Sequence, residues 1–314
     1  GMPLTSLGRC QLIVLTLVEG RRTRLKPPPF IWHRPTVAAE AAAILAEVVP
    51  EDGRILAGGQ SLLPAMALRV ARPGHLVDIN AVAEFATLSV QNGTLRIGAT
   101  VRHNAFQRPV APGPLGALLS EVVRHIAHWP IRTRGTFGGS LCHAEPASEW
   151  PLVAAVLGAE ITALSTRSAR RIGAAAFLRG PLETALAPDE LLQSVELPLL
   201  PDDARFGFEE VARRVGDFAQ AMALVVLRLD AAGRIAGARL GLGGVEVVPR
   251  RLPGVEALLN GAAPSPRLLA EAGAAAVTEA EPMEDPAYRR ALVRGVVARA
   301  LGRALGFQPL ARAA

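Results

Sequence analysis

Two short segments rich in small residues constrain the fold of this chain more than any other feature. The first glycine segment, residues 57–62, reads Ala-Gly-Gly-Gln-Ser-Leu and follows a short apolar run. The second glycine segment, residues 135–140, reads Gly-Thr-Phe-Gly-Gly-Ser. Glycines admit positive φ and close backbone approach, and successive backbone N–H groups in such loops form concave anion sites. The pair therefore predicts a ligand with two linked phosphates, held by two separate loops.

The second glycine segment is expected to be a loop that precedes a helix. Gly138 and Gly139 lack Cβ atoms, so they can take positive φ and let another group come close to bare backbone, and Thr136 and Ser140 add hydroxyl groups on either side. Residues 145–151 read Glu-Pro-Ala-Ser-Glu-Trp-Pro, which is typical of a first helical turn, where proline is tolerated and acids favour the helix dipole. A helix is therefore predicted to begin after the loop.

Other phosphate-binding patterns are missing from the sequence. No Gly-x-Gly-x-x-Gly follows a predicted strand, and no P-loop is present. The nearest run, Leu-Gly-Leu-Gly-Gly-Val at residues 240–245, falls inside a predicted strand, where glycines more often allow a bulge or close packing. The two phosphates must therefore be held by the two glycine segments.

Three motifs in order carry a family resemblance. They are the first glycine segment followed by Leu-Val-Asp-Ile at residues 76–79, Thr-Phe-Gly-Gly-Ser followed by His-Ala-Glu-Pro at residues 136–146, and Arg-Arg-Val-Gly-Asp-Phe-Ala at residues 213–219. Together they resemble the FAD-binding medium subunit of aerobic carbon monoxide dehydrogenases and related molybdenum hydroxylases, including the xanthine dehydrogenase flavin domain. The resemblance runs from about residue 27 to the C-terminus.

The resemblance implies an α+β fold in two parts. A two-part FAD-binding domain with a vanillyl-alcohol-oxidase/MurB-like FAD fold is expected over residues 26–200. A small α+β domain, like the carbon monoxide dehydrogenase flavoprotein C-terminal domain, is expected over residues 201–314, with a three-stranded antiparallel sheet and helices. Residues 1–25 fit neither part and are expected to be a flexible N-terminal extension.

The resemblance also implies which residues bind FAD. Residues of both glycine segments are expected at the pyrophosphate and ribityl region: Ala57, Gly58, Gly59, Gln60, Ser61, Leu62, Thr136, Phe137, Gly138, Gly139 and Ser140. Glu149 matches an acid that holds the adenosine portion, and Leu192 matches a residue near the isoalloxazine. Phe208 and Asp217 match positions that border the flavin ring. Glu209 stands where some relatives carry a basic residue near the flavin, so the electron acceptor is left open.

No catalytic residue and no metal ligand is predicted. His125 and His128 are spaced near one helical turn, but no third ligand stands near them in the sequence. The two cysteines, Cys10 and Cys142, are too few to ligate an iron–sulfur cluster. The resemblance therefore implies partners: an iron–sulfur small subunit and a molybdopterin large subunit, in a heterotrimer that dimerises.

Charge and hydropathy exclude other classes. The net charge of +6 comes from scattered arginines with acids between them, and no nucleic-acid-binding motif is present. Nucleic acid is therefore not an expected partner. The apolar run 10–18 is far too short to span a bilayer, and no transmembrane segment is predicted. A cytoplasmic location is expected.

Local patterns predict several elements. Thr36 is a plausible N-cap for a helix with Val37 on its buried face, and residues 114–128 have the apolar spacing of an amphipathic helix. Asn92-Gly93 predicts a type I′ turn in a hairpin over residues 87–99. The second part is predicted to contain strands and then helices, at residues 206–212, 219–229, 235–242, 266–279 and 286–305.

Three functions are compatible with these observations. The leading one is an FAD-binding electron-transfer subunit of a molybdenum hydroxylase complex, which passes electrons from the iron–sulfur clusters of a partner to an external acceptor. The second is a self-sufficient FAD-dependent oxidase that acts on a small organic substrate. The third is a non-enzymatic nucleotide-binding module.

Overall fold

The computed structural model describes residues 26–307, so the predicted extension at residues 1–25 lies outside the described part of the chain. The strands are β1 (Ile31–His33), β2 (Gly53–Leu56), β3 (His75–Asp78), β4 (Leu88–Gln91), β5 (Thr94–Gly98), β6 (Glu160–Leu164), β7 (Ala169–Gly173), β8 (Leu178–Gly180), β9 (Glu183–Thr184), β10 (Leu191–Pro198), β11 (Arg205–Ala212), β12 (Ala219–Leu229), β13 (Ile235–Gly243) and β14 (Arg250–Arg251).

The helices lie between these strands in the first part, with four in succession between β5 and β6, and follow the strands in the second part. They are α1 (Ala38–Val48), α2 (Leu62–Ala67), α3 (Gly113–Val122), α4 (Trp129–Arg134), α5 (Phe137–His143), α6 (Glu149–Leu157), α7 (Ala174–Phe177), α8 (Pro253–Leu259), α9 (Pro266–Glu279) and α10 (Pro286–Leu305). None of the helices over residues 26–307 is long and apolar enough to cross a membrane.

The first three strands of the described residues form a small parallel sheet in the order β1-β3-β2, and the first glycine segment follows its edge strand β2. The predicted N-cap of α1 is wrong: the cap residue is Val37, which is 54% exposed. Thr36 instead donates its backbone N–H to the Glu40 carboxylate at 2.8 Å. The backbone N–H of Ala38, the first residue of α1, donates to the Glu84 carboxylate at 2.8 Å, and the Thr36 hydroxyl itself donates to Glu40 Oε2 at 3.4 Å, so this hydroxyl does not cap the helix.

A five-stranded sheet with the order β4-β5-β10-β6-β7 forms the centre of the first part. Its β4–β5 hairpin confirms the predicted turn, because Asn92 and Gly93 have φ of 49° and 75°. The helix predicted over residues 114–128 is α3 and ends earlier, at Val122. The chain beyond it turns through Ala127, whose φ of 43° is incompatible with a continuing helix.

The antiparallel sheet of the second part has the order β11-β12-β13-β14. Its three long strands and the helices α9 and α10 confirm the predicted pattern, and the two-residue strand β14 adds a short edge. Side chains alternate across it: Leu224 and Val226 pack into the core of the first part, whereas Val225 and Leu227 pack into the core formed with α9 and α10. The sheet is thus covered on both faces, by the first part and by its own helices.

Candidate cofactor site

The two glycine segments lie against each other. A Cβ placed on Gly58 would stand 2.6 Å from the carbonyl oxygen of Arg134 and 2.7 Å from Cα of Gly135. Real Cβ atoms essentially never approach other atoms within 3.0 Å, so the two backbones can pass this closely only because residue 58 is glycine. Two segments that are far apart in the sequence therefore meet in a direct contact at Gly58, which is the crossing of the glycine segments.

The first glycine segment is a turn that leads into α2. Gly59 has a φ of 72°, and its carbonyl accepts the Leu63 N–H at 3.1 Å. The Gln60 side-chain amide donates to the Gly58 carbonyl at 3.2 Å, which closes the turn on itself. Ser61 follows with an exposed side chain. The turn therefore presents backbone and a hydroxyl group outward.

The second glycine segment is not the predicted loop. Thr136 is the N-cap of α5, and its Oγ1 accepts the backbone N–H of Gly139 at 2.9 Å. Gly138, Gly139 and Ser140 therefore lie in the first turn of a helix, and neither glycine has a positive φ. The threonine cap decides the outcome, because it satisfies a backbone donor that a loop would leave to solvent.

Gly138 is required for close packing instead. A Cβ there would stand 2.8 Å from the carbonyl oxygen of Ala99 and 3.1 Å from Cδ2 of Leu192. Leu192 is buried in β10. The pairing of β10 with β6 is interrupted by a bulge between Leu192 and Ser194. The structure thus places Leu192 directly against the second glycine segment.

Phe137 anchors the second glycine segment in the core. Its ring lies 4.9 Å from the Trp150 ring and 5.6 Å from the Phe106 ring, measured between centroids, and all three side chains are fully buried. This aromatic cluster joins α5 to α6. The Phe137 side chain therefore holds the backbone of the second glycine segment against the core.

The positions in β11 fall on two faces of its sheet. Phe208 is buried, with its ring 4.8 Å from the His125 ring in an edge-on contact, so it supports the site from within the core. Glu209 points the other way, towards α10, where Arg299 and Arg303 each contact its carboxylate at 2.8 Å. The negative charge of Glu209 is therefore paired by α10.

Asp217 lies apart from the crossing of the glycine segments. It is exposed and lines a cavity of about 390 Å³ between the two parts of the chain, together with Glu145, Phe218 and Arg289. The cavity has both acidic and basic groups around an apolar ring. Asp217 therefore lines the same cavity as Glu145 of the His-Ala-Glu-Pro motif.

Glu149, the first residue of α6, is buried beside a second acid. Burial raises the pKa of Glu149 to about 7, and burial together with the charges of Glu149 and Glu209 raises the pKa of Glu210 to about 8. Among the residues that the structure describes, Glu210 Oε2 has no hydrogen-bond partner; it lies 3.7 Å from Nδ1 of His125, whose own pKa is lowered by burial. At neutral pH this group of side chains therefore holds protons that isolated carboxylates would have lost.

The raised pKa values predict that stability falls as pH rises. At pH values between 4.5, the pKa of these acids in the unfolded chain, and their raised pKa values in the folded chain, the folded chain binds more protons than the unfolded chain. The free energy of unfolding therefore decreases with rising pH, by up to about 1.4 kcal/mol per pH unit for each of the two acids. Glu210→Gln mimics the protonated acid, so this variant should be more stable than the unmodified chain at pH 9 and lose less stability between pH 6 and pH 9. Urea unfolding at both pH values measures this. The exposed Glu271→Gln variant is the control, and equal pH slopes for all three proteins would contradict the assignment.

Sequence reasoning missed three residues beside the glycine segments: Asn80, Arg102 and His103. His103 is buried, and its Nδ1 accepts the indole N–H of Trp150 at 2.9 Å. Burial, reinforced by Arg102 and Arg132, lowers the pKa of His103 to about 4, so the ring is neutral and carries its proton on Nε2. No sequence pattern links these residues, because their partners lie far along the chain.

The site residues fit a dinucleotide with two phosphates. Gly58 and Gly138 stand where any Cβ would collide with a neighbouring backbone, so these two glycines let the main chains around the site pack directly against each other. Ser61 is exposed and Ser140 is partly exposed, which places a hydroxyl group in each glycine segment. Hydroxyl and backbone donors from two elements match the oxygens of a pyrophosphate.

Comparison with known proteins agrees with this geometry. Residues 26–200 match the family described as the FAD binding domain in molybdopterin dehydrogenase, and residues 206–304 match the CO dehydrogenase flavoprotein C-terminal domain. The matched ranges together cover both parts of the fold.

Relatives and a solved structure extend over most of the chain. The caffeine dehydrogenase subunit beta of Pseudomonas sp. strain CBB1 is 40% identical over 238 residues, which is 76% of this chain and 80% of the relative. The nicotine 6-hydroxylase medium subunit of Paenarthrobacter nicotinovorans is 36% identical over 281 residues, covering 88% and 98%. The structure of carbon monoxide dehydrogenase from Hydrogenophaga pseudoflava superposes with a TM-score of 0.85 at 32% identity, covering 90% and 99%. The chain therefore belongs to the family of FAD-binding flavoproteins of the molybdopterin dehydrogenases, oxidoreductases of the carbon monoxide dehydrogenase and xanthine dehydrogenase type, and its cofactor is FAD.

Proposed function

We propose that the chain is the electron-transfer subunit of a molybdenum hydroxylase complex, and that it passes electrons from the iron–sulfur clusters of a partner subunit to an external acceptor. The observation that carries the proposal is the crossing of the two glycine segments at Gly58. FAD supplies electron-transfer chemistry when bound, and the protein supplies binding and orientation. Such a role needs no acid–base residue from this chain.

The residues assigned to FAD from the resemblance are part of the proposal. Gly58 and Gly59 would offer backbone to the pyrophosphate, and Ser61 and Ser140 would donate hydroxyl hydrogen bonds. Leu192 contributes an apolar wall against the second glycine segment. The domain limits, residues 26–200 for the FAD-binding domain and residues 201–314 for the C-terminal domain, are proposed on the same basis.

The partners are proposed to be an iron–sulfur small subunit and a molybdopterin large subunit. The two cysteines of the chain cannot supply the four ligands of a cluster, so any cluster belongs to another chain. Two relatives are named as subunits, of a dehydrogenase and of a hydroxylase. Residues 213–218 carry exposed arginines and apolar groups, with Val215 at 89% and Phe218 at 60% exposure, beside the cavity that Asp217 lines. This segment supports a docking surface near the site.

Co-expression with the two partner subunits tests the proposal. The complex should contain FAD and reduce an acceptor dye when given the right substrate, with caffeine, nicotine and carbon monoxide as the first panel. The chain alone should bind FAD, lose its yellow colour with dithionite and stay oxidised with every substrate. Turnover of an organic substrate by the chain alone would favour the self-sufficient oxidase, and failure to bind FAD would favour the non-enzymatic module.

A further inference from the structure

The spacing of the two glycine segments must be fixed by residues outside them. They touch at Gly58, but within residues 26–307 no backbone hydrogen bond joins residues 57–62 to residues 135–140. A van der Waals contact alone does not fix the spacing of a turn and a helix start. Whatever holds this spacing also decides whether one ligand can contact both segments at once.

Two side chains span the gap. Asn80 Nδ2 donates to the carbonyl of Ala57 at 2.8 Å, and Asn80 Oδ1 accepts from Arg102 Nη2 at 2.5 Å. Arg102 Nη1 donates to the carbonyl of Arg134, the residue directly before the second glycine segment. The chain of hydrogen bonds therefore runs from the first glycine segment through an amide and a guanidinium to the second.

The backbone of Arg102 is itself attached to the second glycine segment. It forms a β-bridge with Thr136, flanked by hydrogen bonds from His103 N–H to the Gly135 carbonyl at 2.9 Å and from Phe137 N–H to the Val101 carbonyl at 3.0 Å. The main chain of Arg102 is thus hydrogen-bonded alongside the second glycine segment, and its side chain reaches towards the first.

The residue types suit this bridging task. A guanidinium offers several N–H donors in a planar fork and can reach two acceptors at once, whereas a lysine has one nitrogen on a flexible stem. A side-chain amide carries a donor and an acceptor, so Asn80 can relay between a carbonyl and an arginine. Asp78 Oδ1 accepts a second hydrogen bond from Asn80 Nδ2 at 2.6 Å and fixes the orientation of that amide.

We infer that Asn80 and Arg102 are positioning residues that set the distance between the two glycine segments, so that one diphosphate can engage both. The inference rests on the proposed function, because it assumes that the two segments share one dinucleotide. Neither side chain needs to touch the cofactor for this role. Their effect on binding acts through the carbonyls of Ala57 and Arg134 and the backbones attached to them.

The test compares ligands with one and two phosphates. Asn80→Ala and Arg102→Lys should each weaken FAD binding by about 10- to 100-fold, the effect expected for losing a hydrogen bond to a charged group. ADP should weaken by a similar factor, whereas AMP, with a single phosphate, should change little. The ratio of the AMP and ADP dissociation constants, measured by calorimetry, should therefore fall towards one in both variants.

A double variant and a control complete the design. Because both substitutions break the same relay, Asn80→Ala with Arg102→Lys should bind FAD no more weakly than the weaker single variant. Arg228→Lys breaks an exposed bidentate pair with Asp203 and should leave all three ligands unaffected. Thermal unfolding of the ligand-free variants checks that each folds; Asn80 is exposed, so its variant keeps the core intact.

The outcomes separate the two claims. If the unmodified chain binds neither FAD nor ADP, the proposed function fails. If the unmodified chain binds FAD and both variants bind it equally well, the proposed function stands and the positioning role is wrong. Additive losses in the double variant, or an unchanged ratio of AMP to ADP affinity, would likewise overturn the positioning role.

Discussion

We expect the Gly58→Val variant to fold and to bind FAD about 10- to 100-fold more weakly than the unmodified chain. The new side chain would begin 2.6 Å from the Arg134 carbonyl and 2.7 Å from the Gly135 Cα, so the two glycine segments must separate. Inserting a side chain into a packed contact typically costs about 1–3 kcal/mol, which corresponds to that range of dissociation constants. Fluorescence titration of the flavin-free protein with FAD measures the change.

A matched glycine shows whether the effect belongs to the crossing. Gly237 lies in β13, where no atom of residues 26–307 is within 4 Å of an added Cβ, and valine suits a strand, so Gly237→Val should leave FAD binding unchanged. Gly58→Ala, with a smaller side chain, should fall between the unmodified chain and Gly58→Val. Full FAD affinity in Gly58→Val would remove the crossing from the cofactor site.

The largest loss of stability is expected for Trp150→Ala. Trp150 is fully buried, its ring centroid lies 5.1 Å from that of Phe106 and 4.9 Å from that of Phe137, and its N–H satisfies Nδ1 of His103. Truncating a buried aromatic to alanine costs about 3–5 kcal/mol, and the orphaned acceptor of His103 adds to this. Because the free energy of unfolding of a typical protein is only about 5–15 kcal/mol, this substitution should remove a large part of the native stability.

Trp150→Phe separates packing from hydrogen bonding. It keeps an aromatic ring against Phe106 and Phe137 but removes the donor to His103, so it should lose clearly less stability than Trp150→Ala. Urea unfolding monitored by circular dichroism gives both values. A midpoint in Trp150→Ala within error of the unmodified chain would show that the aromatic cluster does not hold α5 and α6 together.

Elements with local signals were predictable from the sequence. The β4–β5 hairpin follows from Asn92-Gly93, because few other pairs accept two positive φ values in succession. Helix α10 begins at Pro286, and Gly306 takes the left-handed conformation directly after its end, which are also local signals. These residues determine structure without distant partners.

Features that depend on distant partners were not predictable. The pair Gly138-Gly139 suggested a loop, but Thr136 capped a helix there, and the reason for Gly138 lies in Ala99, which directly follows the distant strand β5. Asn80 and Arg102 meet although 22 positions separate them, and each is an ordinary polar residue in its own stretch. The family resemblance supplied the cofactor and the candidate contacts, whereas the arrangement of the supporting side chains required coordinates.

The central place of β10 in the five-stranded sheet has a consequence for biosynthesis. β5 and β6 each pair with β10 and not with each other, and β10 follows both in the chain. Both glycine segments therefore leave the ribosome before the strand that joins the two halves of the sheet. Until residue 198 has emerged, the nascent chain exposes the unpaired edges of β5 and β6, which are templates for aggregation. The five-stranded sheet, with Leu192 in its central strand, therefore cannot be complete before the end of β10 has been made, although both glycine segments are made earlier.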